Sequence, residues 1–227
     1  MDSAGANLDR AAAAQADQAR VGALLAMNYA ELRALLTGDP AKAKVWLQSA
    51  ARRGLPEAQL RLGRMLLEDG DMSRAIAWFQ KAADAGNAEA MNMVGRAFEN
   101  GLGVATDLPA AAIWYRRSAR AGSAWGEYNL ANLLFDGRGV DRDLTAAFTL
   151  YQRASERGHA RAMNLLGRCL EEGWGCAIDP VRAADWYRRS AEAGYFRAQI
   201  NHAAVLAEQG LGDEAARWLE KAEAGGS

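Results

Sequence analysis

Apolar positions along the chain fall into two alternating phrases. The first is clearest in AMNLLGRCLEEG, residues 162–173. There Ala162, Leu166, Cys169 and Leu170 recur at i, i+4, i+7 and i+8, the apolar face of an amphipathic helix. The second is clearest in ADWYRRSAEAG, residues 184–194, where Trp186, Tyr187, Ser190 and Ala191 share a face. Both phrases recur. The first returns as AQLRLGRMLLEDG, AMNMVGRAFENG and EYNLANLLFDG, with a central small residue at Gly63, Gly95, Ala131, Gly167 and Ala203, spaced 32, 36, 36 and 36. The second returns at Trp46, Trp78, Trp114, Leu150, Trp186 and Trp218. The pattern predicts helix pairs repeated along the chain, each second helix closed by a glycine suited to a left-handed C-cap.

Three connecting loops are also in register: GLGVATDLPAA from Gly101, GRGVDRDLTAA from Gly137 and GWGCAIDPVRAA from Gly173. Each resembles a phosphate cradle at first sight. However, the third glycine of a dinucleotide loop is missing and no P-loop lysine follows. Asp107, Asp143 and Asp179 share a column where an N-cap is needed, and Pro180 follows at N1. The loops therefore read as turns joining two helices. Val104, Val140 and Cys176 form an apolar column that plugs each turn into the core. The stretches LLEDGDMSRAIAWF and LAEQGLGDEAARWL lack the four-residue insertion and predict tighter turns. Gly63, Gly95 and Gly167 let two helices approach closely, and Trp46, Trp78, Trp114, Trp186 and Trp218 are expected to fill the space beside them.

The combined pattern, complete in AMNMVGRAFENGLGVATDLPAAAIWYRRSARAG, resembles the Sel1-like repeat of the tetratricopeptide-like superfamily. The resemblance covers residues 56–225. It implies an all-α fold, a right-handed α/α solenoid of about five to six helix pairs, because one repeat cannot bury its apolar face alone. Residues 19–55 fit a degenerate first repeat. Residues 1–18 are expected to form a partly disordered extension, and 56–227 the remaining repeats with a C-terminal cap. Within 8–37 a long N-terminal helix is expected, with Val21, Leu25, Leu32 and Leu36 on its inner face. His202 replaces Leu62, Val94, Leu130 and Leu166 of its column, as suits a partly wet last repeat.

Composition narrows the function. Half of the 227 residues are apolar and 24% are charged, an ordinary globular balance. The net charge of −1 gives no field that would draw the chain to nucleic acid or to an anionic membrane. The dibasic steps Arg116–Arg117 and Arg188–Arg189 read as a solvated outer face. No apolar run is long enough to span a bilayer, so no membrane insertion is expected. The start carries no signal peptide as written, which predicts a cytoplasmic location, or a periplasmic one if a signal has been removed.

Catalytic signatures are absent: no G-x-S-x-G, H-E-x-x-H or G-K-[ST] occurs. The two histidines are 43 positions apart, too scattered for a metal site, so neither metal nor cofactor is expected. His159 stands where Asn87, Ser123 and Tyr195 stand in other repeats, and reads as an exposed turn residue. Cys169 and Cys176 both occupy apolar columns and read as buried thiols. A disulfide between them is the alternative.

By resemblance, the first helix of each repeat lines a concave groove. The expected groove residues are Arg64, Asn92, Arg96, Glu99, Tyr128, Asn132, Phe135, Asn164, Arg168 and Glu171. Asn can donate to and accept from an extended backbone, Arg can clamp a carboxylate, and Tyr and Phe supply anchors. The alternative is a merely solvated face with pairs such as Arg168–Glu172 along the helix. Trp125 and Trp174 lie off the structural column. Trp174 either packs on a neighbouring loop or marks a contact edge. The expected function is non-enzymatic binding of a partner protein or extended peptide by a monomer, as adaptor or regulator. A bacterial immunity protein that neutralises a secreted toxin is an alternative. A β-lactam-binding hydrolase, implied by cysteine-rich relatives, is weaker, since their cysteine pattern and an S-x-x-K motif are missing.

Overall fold

A computed structural model describes residues 40–225, together with 13–16, 19 and 38. Eleven helices run in order through 40–225: α1 (Pro40–Arg52), α2 (Pro56–Glu68), α3 (Met72–Asp84), α4 (Ala88–Asn100), α5 (Leu108–Arg120), α6 (Ala124–Asp136), α7 (Leu144–Glu156), α8 (Ala160–Glu172), α9 (Pro180–Glu192), α10 (Phe196–Glu208) and α11 (Gly212–Gly225). Among the described residues there is no strand, and the fold is all-α, of the repeat-solenoid class. The helix expected within 8–37, the 1–18 extension and the first half of the degenerate repeat lie outside the described residues, apart from 13–16, 19 and 38. The chain divides into two units, residues 1–106 and 107–227. Within each unit every helix from α1 to α4, and from α5 to α11, packs on the helix before it and the helix after it.

Sequence chemistry sets the ends of these helices. The Asp107, Asp143 and Asp179 carboxylates accept from the backbone N–H of Ala110, Ala146 and Arg182 at 2.9, 2.9 and 3.0 Å, closing the first turns of α5, α7 and α9. Gly101, Gly137 and Gly173 end α4, α6 and α8 in the left-handed conformation. Where the four-residue insertion is absent, Asp71 caps α3 directly and the link from α2 is three residues long.

The second glycine of each long loop has a different task. A Cβ on Gly175 would stand 2.1 Å from the Leu144 carbonyl oxygen at the start of α7. A Cβ on Gly139 would stand 2.5 Å from Leu108 at the start of α5. Each loop thus sits on the preceding repeat's second helix at backbone distance, where only glycine fits.

The packing opposite the small-residue column differs from the expectation. A Cβ on Gly63 would meet the Phe79 ring at 2.5 Å, and one on Gly167 the Tyr187 ring at 2.7 Å. Beside Gly63 and Gly167 the space is therefore filled by Phe79 and Tyr187, each the residue after a Trp, and not by Trp78 or Trp186. Phe79, Tyr115, Tyr151 and Tyr187 are all buried. Trp46, Trp78, Trp114 and Trp218 are only half-buried, while Trp186 is buried. Lys81, Arg117, Arg189 and Lys221 lie 4.0–4.3 Å over the Trp78, Trp114, Trp186 and Trp218 rings. The Trp column is a seam between core and solvent, closed by cations. Gly95 is buried within α4.

Cys169 is buried, Cys176 is half-buried, and both are free thiols. The Cys176 thiol donates to the Cys169 carbonyl at 3.2 Å. Burial, with Cys176 nearby, pushes the Cys169 thiol up to about 12. His202 is not wet. It is buried with its edge on Trp218, ring centroids 5.3 Å apart. Burial, then the Arg188 charge, lowers its pKa and favours the neutral ring.

Candidate partner-binding face

The first helices α6, α8 and α10 present one face of the second unit. Tyr128 from α6, Arg161, Asn164, Leu165 and Arg168 from α8, and Arg197, Ile200 and Asn201 from α10 line a depression of about 450 Å³, with Tyr195 at its rim. Asn201 donates its amide to the Asn164 carbonyl at 2.8 Å, and Asn164 is buried. A neighbouring depression of about 230 Å³ is lined by Asn132, Phe135, Asp136, Tyr151, Leu165, Arg168, Cys169 and Trp174. Here Trp174 packs edge-on against Phe135, centroids 5.1 Å apart, and Arg168 lies 5.0 Å from the Trp174 ring. Trp174 therefore packs back onto the unit rather than standing free.

Several expected groove residues are engaged in the fold. A buried tyrosine hydroxyl needs an acceptor. Tyr151 donates to the Asn132 carbonyl at 2.7 Å, and Tyr187 donates to the Glu171 carboxylate at 2.6 Å. Glu171 lines neither depression and instead borders a third, beside Pro180, Val181 and Tyr187. Arg64, Asn92, Arg96 and Glu99 belong to α2 and α4 of the first unit. Arg64 is spent on an ion pair with Glu89. Asn92 is buried, and Arg96 is exposed with Nη1 3.9 Å from the Met93 sulfur. The structure thus brings Tyr128, Asn164 and Arg168 together in one depression, and Asn132, Phe135, Arg168 and Trp174 in the other.

His159 departs most from the sequence reading. It is 8% exposed, not an open turn residue. Its Nδ1 accepts from the Ala162 N–H at 3.2 Å and so caps α8, as Asn87 and Ser123 cap α4 and α6. The ring stacks on Tyr128 at 4.5 Å and meets Trp125 edge-on at 4.3 Å. Nε2 is buried without a partner. Burial, then the Arg161 charge, lowers the His159 pKa to about 4, so the ring is neutral at physiological pH. Trp125 is 47% exposed and borders a further opening on this face with Arg157, Arg161 and Tyr195.

Glu127 was missed as well. Its carboxylate is fully buried, 2.8 Å from Arg153 and 3.3 Å from Arg157. The sequence signal lay in its column, which reads Gln59, Met91, Glu127, Met163 and Gln199, with an acid in an otherwise neutral position.

Among the described residues, no group of three His, Cys, Asp or Glu could hold a metal ion, and no helix is long and apolar enough to cross a membrane.

The comparisons with known proteins agree with this architecture. The Sel1 repeat model matches residues 18–55, 56–87, 88–123, 126–159, 160–195 and 198–227. A Sel1 repeat protein from Oxalobacter formigenes is 31% identical, with a TM-score of 0.76 over 82% of this chain and 79% of that one. A protective antigen of uropathogenic Escherichia coli strains that displays an SLR fold is 28% identical, with a TM-score of 0.74. That match covers 86% of this chain but only 44% of the antigen's. An immunity protein from Pseudomonas aeruginosa shares the fold at 16% identity and a TM-score of 0.55, over 75% of this chain and 66% of that one. No curated protein sequence matches the chain. The Sel1 repeat is a tetratricopeptide-like fold that generally mediates protein–protein contacts and is typically non-catalytic. With six matched repeats spanning nearly its whole length, the chain belongs to the Sel1 repeat family.

Proposed function

We propose that the protein is a non-enzymatic interaction module that holds an extended segment of a partner protein on the α6–α8–α10 face. The observation that carries this reading is the depression around Tyr128, Asn164 and Arg168. It combines the half-buried Tyr128 ring on α6, the exposed Arg168 guanidinium on α8 and the half-buried Asn201 amide on α10, with Asn164 beneath holding Asn201 in place. An amide can pair with backbone N–H and C=O, and the ring supplies apolar area at low entropic cost. The fold shared with the Pseudomonas aeruginosa immunity protein, at 16% identity, supports no more than this general role. An adaptor or regulator role therefore ranks ahead of toxin neutralisation.

The test replaces Tyr128 with Ala and Arg168 with Glu together. The double variant should keep its helicity and lose partner capture by at least about tenfold, the equivalent of about 1.4 kcal/mol. Undiminished capture by a folded double variant would place the partner on another surface.

A further inference from the structure

The depression carries an uncompensated charge that the repeat register explains. Six positions before each small-residue column stand Glu57, Glu89, Trp125, Arg161 and Arg197. One position after the column stand Arg64, Arg96, Asn132, Arg168 and Ala204. In the first unit the two columns interlock, because Arg64 of one repeat pairs with Glu89 of the next. In the second unit the equivalent of that pair is Arg168 with Arg197. The column that supplies a carboxylate to Arg64 supplies a second guanidinium to Arg168.

The consequence is visible around the depression. Arg161, Arg168 and Arg197 all line it, and no Asp or Glu does. None of the three has a carboxylate partner among the described residues. They lie instead by aromatic rings, at 6.0 Å from Trp125 for Arg161, 5.0 Å from Trp174 for Arg168 and 5.7 Å from Phe196 for Arg197. Asp136 shares only the neighbouring depression with Arg168. Three cations lining this one with no anion among its lining residues repel one another, and a ligand bringing negative charge relieves that repulsion. Guanidinium is also the group suited to carboxylate in a bidentate fork.

We propose that the partner segment held here is acidic. One Asp or Glu side chain sits between Arg168 and Arg197, in the place Glu89 takes beside Arg64, and a second lies within reach of Arg161. This inference rests on the interaction reading above and adds the partner's charge to it.

A random dodecapeptide library with blocked C-termini, selected on the full chain at about 150 mM salt, tests the idea. Recovered sequences should be enriched in Asp and Glu at two or more positions. An amidated peptide of the consensus should bind at least about tenfold more weakly to Arg161→Gln/Arg197→Gln, a change of about 1.4 kcal/mol. Its isosteric Asn/Gln version should lose as much on the unaltered protein. Both losses should shrink at about 500 mM salt, because these guanidiniums are exposed. Neutral or basic winners, no winners at all, or equal binding by the double variant would each overturn the acidic assignment. So would a single-stranded oligonucleotide that outcompetes the peptide. Neutral winners that nevertheless depend on Tyr128 would leave the interaction reading standing and remove only the charge. Winners indifferent to Tyr128 and Arg168 would remove both.

Discussion

Glu127 and His159 are polar side chains closed off from water, and each has a different reason to tolerate it. Glu127 is neutralised by two arginines whose own side chains stay about half exposed. Its column holds Met at 91 and 163, so the site accepts an apolar side chain of similar length. Glu127→Met should therefore leave the melting temperature unchanged or raise it, since desolvating a charge consumes most of what the ion pair returns. Arg153→Ala with Arg157→Ala leaves the carboxylate buried and unpaired. That double variant should lose about 3 kcal/mol in chemical denaturation.

His159 makes the opposite kind of bargain, staying neutral. Its folded pKa lies near 4, below the usual value of 6.5. The folded form thus binds fewer protons than the unfolded one between those values. The stability is complete above about pH 6.5 and declines as pH falls toward 4, by up to about 1.4 kcal/mol for each pH unit crossed. His159→Asn keeps the N-cap acceptor, as Asn87 does, and removes the titration. Melting measured from about pH 7 to about pH 5 should fall more steeply for the original chain than for the variant. Parallel profiles would show that the ring is not held neutral.

At the scale of elements, helix positions were legible because several independent signals agree in the repeats whose second helices are α3, α5, α7 and α9. The 3.6-residue period, the Asp N-caps and the C-terminal glycines all mark the same boundaries. What escaped were contacts set by which of two adjacent aromatics turns inward. Trp78 and Phe79 are neighbours on one helix, and periodicity alone admits either as the core residue. The structure selects Phe79 and Tyr187 because their rings lie flush against Gly63 and Gly167. The Trp indole, larger and able to hold a cation, is left at the seam. His159 was misread for a related reason: its turn position suggested exposure, whereas the capping bond and the flanking rings of Trp125 and Tyr128 enclose it. The loops invite a direct test. Gly175→Ala adds a Cβ 2.1 Å from the Leu144 carbonyl oxygen at a φ of +73°. It should destabilise the chain by at least about 2 kcal/mol, through the left-handed conformation and displacement of the loop. An unchanged denaturation midpoint would mean that the loop does not rest on α7.

Across the whole molecule, the groove was legible as a set of columns but not as a single site. The columns put Tyr128, Asn164 and Arg168 on one expected face, and all three line one depression, because α6 and α8 repeat the same register at 36 residues. They could not show that Asn132 and Glu171 are taken by Tyr151 and Tyr187, since that depends on how deeply each tyrosine is buried. The change of charge six positions before each small residue lies outside those columns, although it can be read from the letters alone. Arg161 and Arg197, the residues that most distinguish the second unit's face from the first's, were consequently absent from the expected groove.

The seating of Gly139 on Leu108 and of Gly175 on Leu144 also constrains how such a chain can grow or shrink. Each loop is moulded to the start of a second helix one repeat earlier, and all such starts are alike. Removing residues 138–173, one full period, joins Gly137 to Trp174 and delivers Gly175 to the seat on Leu108. Removing a few residues more or fewer delivers a side chain to a place with room for none. Length in this stretch is therefore quantised: whole repeats can be gained or lost, and fractions of one cannot.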